Sequence, residues 1–240
     1  MFDWTFDQES SDYNYMQDMV KDMSGKWNID EKTLLDYMTR IAFHETGPNQ
    51  RGNPKAIQEL EGGEEGKGRG LFQYEVGGEG GGHTAVNRLI DYYEPTGIES
   101  MPDWLQGLLY TSPYTGKPAE MKKGDYYFHS DEGFDASSLT PEQQYMLFMA
   151  DKRGDETASF EGVDTPEELK QFYLDEHYAG PEKEARGKSW EDSMGVYKDT
   201  LLDQIMPTKE EAKEEVDSTK TDNSESKTPF FDWLSKPFKP

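Results

Sequence analysis

Apolar residues recur at helical spacing through much of the chain, and the first clear run follows residue 30. Asp30 holds the position of an N-cap and Glu31 stands in the first turn. Leu34, Leu35, Met38, Ile41 and Ala42 follow three and four apart, so the pattern predicts a helix that stops at Gly47-Pro48. Thr84 is the expected cap of a second helix carrying Ala85, Val86, Leu89, Ile90 and Tyr93, ending before Pro95. A short helix is expected around Trp104 and Leu105, between Pro102 and Gly107. Thr140-Pro141-Glu142-Gln143 and Thr165-Pro166-Glu167-Glu168 are capping boxes with Pro at the first helical position. The first opens a helix with Met146, Leu147, Met149 and Ala150; the second opens one with Leu169, Phe172 and Tyr173. A last long helix is predicted from near Ser189 to Met206, with Trp190, Met194, Tyr197, Leu201 and Ile205 along one face, Leu202 beside them and Gly195 inside the run. Pro207 ends it.

The segments between these runs have different characters. Residues 49–82 are dominated by glycine and acids and read as loop or short hairpin, ordered around Leu71-Phe72-Gln73-Tyr74. Residues 110–133, rich in Tyr, Gly and Pro, read as an insertion bordering a groove or packing on itself. Residues 1–26 mix Phe2, Trp4, Phe6, Tyr13, Tyr15, Met16 and Met19 with acids and are expected to be an arm, helical in its second half, that packs on the core or on a partner. Residues 207–228 are almost entirely polar and contain no aromatic residue; such a segment buries too little surface to offset its ordering entropy and is expected to be a disordered linker. Residues 229–240 concentrate Phe230, Phe231, Trp233, Leu234 and Phe238 and read as a docking peptide or a frayed end. The expected fold class is mainly α, of an α+β kind. A helical domain over 27–206 carries a glycine-rich loop or small hairpin beside its first strong helix.

Charge narrows the function classes. The formal net charge is −24, with 49 acids against 25 lysines and arginines. A field of that sign repels a phosphate backbone, so direct binding to nucleic acid is not expected. It also works against diffusion to an anionic surface, unless the protein is carried there by a larger assembly. With no cysteine there is neither disulfide nor thiolate metal site. No apolar stretch is long enough to span a membrane. The first 23 residues, with Asp3, Asp7, Glu9 and Asp12, lack the basic start and apolar centre of a signal peptide, so delivery by another route is expected.

The chemistry concentrates at Glu45. It closes the helix in Ile41-Ala42-Phe43-His44-Glu45-Thr46-Gly47-Pro48, and a glycine-rich stretch follows, ending in Gly68-Arg69-Gly70-Leu71-Phe72-Gln73-Tyr74-Glu75. A rigid helix fixes the carboxyl. The helix C-terminus is a negative pole that disfavours a carboxylate. A carboxyl that keeps its proton near neutral pH can protonate a glycosidic oxygen. A lone Glu at a helix end is ordinarily solvated, so the downstream run is what lifts Glu45 above that reading.

These two runs, Ile-Ala-x-x-Glu-Thr-Gly and Gly-x-Gly-Leu-Phe-Gln, resemble the motifs of the lysozyme-like soluble lytic transglycosylases and their phage-borne relatives: a Glu-Ser at a helix end and a Gly-Leu-Met-Gln. The third family motif, Tyr-Asn-Ala-Gly, has a weaker counterpart in His177-Tyr178-Ala179-Gly180-Pro181. The resemblance spans about residues 28–206. It departs from the family in a longer loop after Glu45 and in the missing Asn of the third motif. It implies cleavage of the β-1,4 bond between N-acetylmuramic acid and N-acetylglucosamine, with Glu45 as acid and base, Gln73 holding the sugar and Tyr178 hydrogen-bonding the Glu45 carboxyl. A Gln capping backbone groups and a core or rim tyrosine are the alternatives for the last two.

Other candidates stay open. Glu75, two residues after Gln73, would share its side in a strand, as a second carboxylate or as a solvated acid. That choice matters, because an inverting hydrolase needs two carboxyls about 6.5–9.5 Å apart, whereas the transglycosylase reaction needs one. Glu59, Glu61 and Glu79 are further acids without fixed placement. His83 closes the glycine stretch and either touches substrate or is structural. Tyr110, Tyr114, Tyr126 and Tyr127 stack on sugars or pack beneath their loop. His44-Glu45 is no zincin site, since Pro48 stands where the second His belongs. Gly66-Lys67-Gly68-Arg69-Gly70 lacks the ending of a phosphate loop and lies among acids. Residues 151–162 lack the spacing of a calcium loop. No metal or cofactor is expected. The partners implied are glycan strands and a virion or tail protein held by the C-terminal segment, with the enzyme acting from a phage particle. A virion structural or ejection protein without activity, and a free endolysin, are the rival readings.

Overall fold

Helix α2 (Glu31–Glu45) is deeply packed: its Leu34, Leu35, Tyr37, Met38, Thr39, Ile41, Ala42, Phe43 and His44 are all buried. In this computed structural model the described residues are 4–60, 63–77, 81–120, 125–154, 160–177, 182–198 and 200–206. The expected linker and docking peptide, 207–228 and 229–240, lie outside them. The other elements are α1 (Ser11–Trp27), α3 (Gly47–Gln50), β1 (Ile57–Glu59), β2 (Glu65–Arg69), β3 (Tyr74–Glu75), α4 (Gly81–Tyr93), α5 (Asp103–Gln106), α6 (Pro141–Gly154), α7 (Pro166–Phe172), α8 (Lys183–Met194) and α9 (Thr200–Ile205). A π-helical turn, Tyr173–His177, continues α7. The described residues are therefore mainly helical, with a small antiparallel sheet of order β1-β2-β3.

Local chemistry starts the helices where the sequence predicts. Asp30 accepts from the Thr33 N–H at 3.0 Å. The Thr140 box is reciprocal: the Gln143 N–H donates to Thr140 Oγ1 at 3.3 Å, and the Thr140 N–H donates to Gln143 Oε1 at 3.1 Å. At the second box the Glu168 N–H donates to Thr165 Oγ1 at 3.2 Å. The segment expected as an arm supplies α1, capped by Ser10, and its Met16, Met19, Val20, Met23 and Trp27 belong to the same core as α2. Phe6 is buried too, and its N–H donates to the Ile205 carbonyl at 3.0 Å.

Two boundaries differ from expectation. α4 begins at Gly81, ahead of Thr84, because Gly82 lets the first turn lie against the 134 backbone: a Cβ there would stand 2.9 Å from the Phe134 oxygen. The long last helix is two helices. α8 starts at Lys183, and Gly195 closes it by donating to the Glu191 carbonyl at 2.8 Å. Leaving the helix there brings Tyr197 onto α2, where its hydroxyl donates to Asp36 at 3.1 Å and its ring meets Phe43 edge-on at 5.3 Å. The expected stripe is still largely core, since Trp190, Tyr197, Leu201, Leu202 and Ile205 are buried.

The glycine-rich stretch is a three-stranded sheet rather than a loop or a lone hairpin. Ile57 pairs with Arg69 and Glu59 with Glu65, with an irregularity between, and Gly68 pairs with Glu75. Its turn is clamped by Gln144 of α6, which is 1% exposed. Gln144 Oε1 accepts from the Leu71 N–H at 2.6 Å, and Nε2 donates to the carbonyls of Pro54 at 2.9 Å and Leu139 at 3.1 Å. Gly70 has φ +75, and a Cβ there would lie 2.4 Å from Gln144 Oε1, so glycine is required twice over. Leu71 and Phe72 anchor the turn below, Phe72 stacking on Phe148 at 4.3 Å.

Gln144→Ala strips the partner from three backbone groups at once. A buried polar group left unmatched costs about 1–3 kcal/mol, and partial access of water to the vacated space lowers the sum. The expected loss is about 3 kcal/mol in urea unfolding at neutral pH; a loss below about 1 kcal/mol would show that the clamp does not hold the sheet.

Candidate functional site

α2 carries Glu45 to its last position, and the residues after it turn the chain sharply. The Thr46 hydroxyl donates back to the Ala42 carbonyl at 2.9 Å and accepts from the Gly52 N–H at 2.6 Å. Gly47 then takes φ +67. Thr46 thus ends the helix and ties it to the loop that leads into the sheet, which gives a structural reason for a hydroxyl residue directly after the Glu.

The Glu45 side chain is 9% exposed and does not point into bulk water. The Tyr173 hydroxyl donates to Glu45 Oε1 at 2.5 Å, and Arg186 Nη2 donates to the same oxygen at 3.0 Å. Arg186 Nε donates to the Tyr173 oxygen at 2.7 Å, closing a three-membered ring of hydrogen bonds. Burial, then the Glu45 charge, push the Tyr173 hydroxyl well above the ordinary tyrosine range, so it remains a proton donor. Burial works against the charge of Arg186, but Glu45 and Tyr173 outweigh it and hold the guanidinium above its usual value.

α8 lies along the end of α2 and supplies this surrounding. Met194 faces Arg40, Ser193 and Trp190 face His44, and Arg186 faces Glu45. Gly187 permits the approach from the other side, since a Cβ there would lie 3.2 Å from the Lys170 stem. Tyr173 stacks on Trp190 at 4.7 Å and meets His44 edge-on at 5.0 Å. His44 Nδ1 shares a 3.0 Å hydrogen bond with Ser193 Oγ, and Nε2 has no hydrogen-bond partner.

The other candidates are placed as follows. Tyr178 lies outside the described residues; the tyrosine seen on Glu45 is Tyr173. Gln73 is in the turn before β3, at φ +51, so strand alternation does not put it on one side with Glu75. Its Nε2 donates to the Gly70 carbonyl at 2.7 Å, which is the backbone-capping alternative. Glu75 is exposed at the end of β3. His83, on the first turn of α4, packs on Phe128 at 5.2 Å, where Asn87 holds the Phe128 backbone by both of its amide atoms. Gly82 brings that turn against the Glu75 carbonyl, so Glu75 and His83 share one corner of the fold. Glu59 accepts from Asn49 and Gln50 of α3. Tyr110 stacks on Tyr127 at 5.2 Å beneath the loop, while Tyr114 is 96% exposed at its tip. Of the described cavities, one of about 420 Å³ lies between the start of α2 and α9, and one of about 530 Å³ lies along Glu182–Lys188. Among the described residues no group of three or more His, Asp or Glu could hold a metal ion, and no helix is long and apolar enough to cross a membrane.

Sequence reasoning missed Tyr173 and Arg186 as partners of Glu45. Tyr173 was legible only as a core residue of α7, and Arg186 sits in a polar run whose small and aromatic positions, Gly187, Trp190 and Ser193, are the one hint of a packed face. No protein-family model, curated protein or solved structure matches the chain.

His44 gives this site a pH signature. Burial, then the charges of Arg186 and Arg51, push it down to about 3. Between its unfolded value near 6.5 and that level the unfolded chain binds the extra proton, so stability falls as pH falls through this window. From pH 7 to pH 5 the loss is on the order of 2 kcal/mol. His44→Phe, which keeps the ring packing, is expected to lack that part of the slope; identical slopes in urea unfolding would contradict the assignment.

Proposed function

We propose that the protein is a peptidoglycan-cleaving muramidase, most simply a lytic transglycosylase, with Glu45 as its acid and base. The observation that supports this best is the Glu45 carboxyl itself. It ends a rigid helix that a short loop links to a small antiparallel sheet, and it is little exposed, with a tyrosine hydroxyl on one oxygen. The lysozyme-like fold, for which the helical body and small sheet leave room, belongs to the same proposal.

In the reaction the protonated carboxyl gives its proton to the glycosidic oxygen as the bond to the muramic acid anomeric carbon breaks. The resulting carboxylate takes the proton of the muramic acid 6-hydroxyl, whose oxygen closes onto that carbon. The products are a new 4-hydroxyl end and a 1,6-anhydro sugar, and no water is consumed. One carboxyl suffices for this reaction. Gln73, Glu75 and His83 are proposed to contribute to substrate binding from the sheet side, and Tyr178 from the segment after the π turn.

One observation favours a second reading. Arg186 neutralises Glu45, as in a structural ion pair, and a non-catalytic virion component would keep such a pair to fix the packing of α8 on α2. Digestion of purified peptidoglycan separates the two. The wild type is expected to release anhydro-muropeptides, one water lighter than hydrolysis products, and Glu45→Gln to lose at least about 100-fold in rate. Equal and negligible release by both proteins would support the second reading.

The setting proposed is a phage particle that opens the wall locally during genome delivery, with the aromatic residues 229–240 docking on a virion or tail protein. The acidic balance fits carriage in an assembly better than free diffusion. Deleting residues 229–240 is expected to reduce the protein in purified particles without changing wall cleavage in vitro. Unchanged incorporation would remove the docking role, and absence of the full chain from particles would point to an endolysin.

A further inference from the structure

We infer that Arg186 is a positioning residue for the Glu45 chemistry, an inference that rests on the glycosidase reading above. The guanidinium spans two acceptors with fixed geometry: Nη2 meets Glu45 Oε1 at 3.0 Å, and Nε meets the Tyr173 oxygen at 2.7 Å. A tyrosine oxygen that already accepts from Arg186 must point its own proton elsewhere, and the Glu45 oxygen stands 2.5 Å away. Arg186 therefore aims the tyrosine proton and fixes the carboxyl in one motion.

Its own placement is enforced. Gly187 admits α8 close to α7, Lys170 Nζ and Glu191 Oε1 join the same two helices at 2.6 Å, and Trp190 stacks on Tyr173. Arg186 is about one-third exposed, whereas Glu45 is almost covered, so the cation is the member of the pair that a ligand reaches more readily. Among the described residues, the charged and titratable groups around the carboxyl include Arg186 of α8, Tyr173 of the π turn, His44 of α2 and, through His44, Arg51 after α3. His44 is neutral at ordinary pH, and Arg186 is a cation hydrogen-bonded to the acid.

Fork geometry and charge can be separated. Arg186→Lys keeps the cation and loses the fork; Arg186→Gln loses both. A general acid must retain its proton, and a nearby cation favours losing it. Removing the cation therefore moves the alkaline limb of the pH–rate profile to higher pH, while Arg186→Lys leaves that limb in place. Both variants are expected to turn over more slowly, by up to roughly 100-fold, through misplacement of the carboxyl.

A readout that needs no activity accompanies the kinetics. The Tyr173 hydroxyl proton, shielded from water, is expected to give a slowly exchanging downfield proton resonance that is absent in Tyr173→Phe and lost in both Arg186 variants. A resonance that persists unchanged in Arg186→Gln overturns the positioning role, whatever the rates. An unmoved alkaline limb in Arg186→Gln overturns the charge role. Should the resonance respond as expected while neither wild type nor Glu45→Gln cuts the wall, the glycosidase reading falls, and the catalytic part of this inference with it.

Discussion

The contact between α8 and the last turn of α2 is the constraint on which the site depends. An acid at a helix C-terminus faces the negative pole of that helix, and burying it adds a desolvation cost. Left alone, Glu45 would turn outward to water. Arg186 and Tyr173 arrive from 141 and 128 residues further along the chain and hold it where it is. Buried pairs contribute little net stability, yet removing one partner costs up to about 3–5 kcal/mol because the other charge is left stranded, and the access of water to Arg186 lowers that cost here. The pair therefore specifies an arrangement more than it strengthens the fold.

The same logic runs through the layers around it. The Thr46 hydroxyl closes α2, Gln144 pins the glycine turn, and Asn87 holds the Phe128 backbone. Each is a polar side chain bridging a rigid helix to irregular chain. The sheet has few residues and little apolar area of its own, so the Gln144 bridge and the Leu71-Phe72 anchor hold it on α6. Glycine serves close approach here. At Gly66 and Gly68 the side chains of Gln58 and Gln73 lie across the strand where a Cβ would otherwise stand.

Much of this was legible along the chain, and the rest was not for identifiable reasons. The capping residues Asp30, Thr140 and Thr165 act within one turn, so their role is visible in local sequence. The apolar spacing of α2, α4 and α6 reports burial directly. Alternation failed for residues 65–69, because glycine occupies the inward positions and leaves no hydrophobic signal for a strand. The break at Gly195 was masked because Tyr197, Leu201 and Ile205 keep helical spacing across it, although Tyr197 reaches α2 from a loop. At the site, Glu45 stood out through its position between a helix and a glycine run. Tyr173 and Arg186 did not, since an ion pair between distant segments leaves no periodic trace in either.

The most direct measurement is a crystal structure of the Glu45→Gln protein soaked with a muropeptide oligosaccharide containing at least two disaccharide units. A glycosidic oxygen is expected within hydrogen-bond reach of the amide at position 45. Sugar bound away from α2, or no sugar bound at saturating concentration, would contradict it.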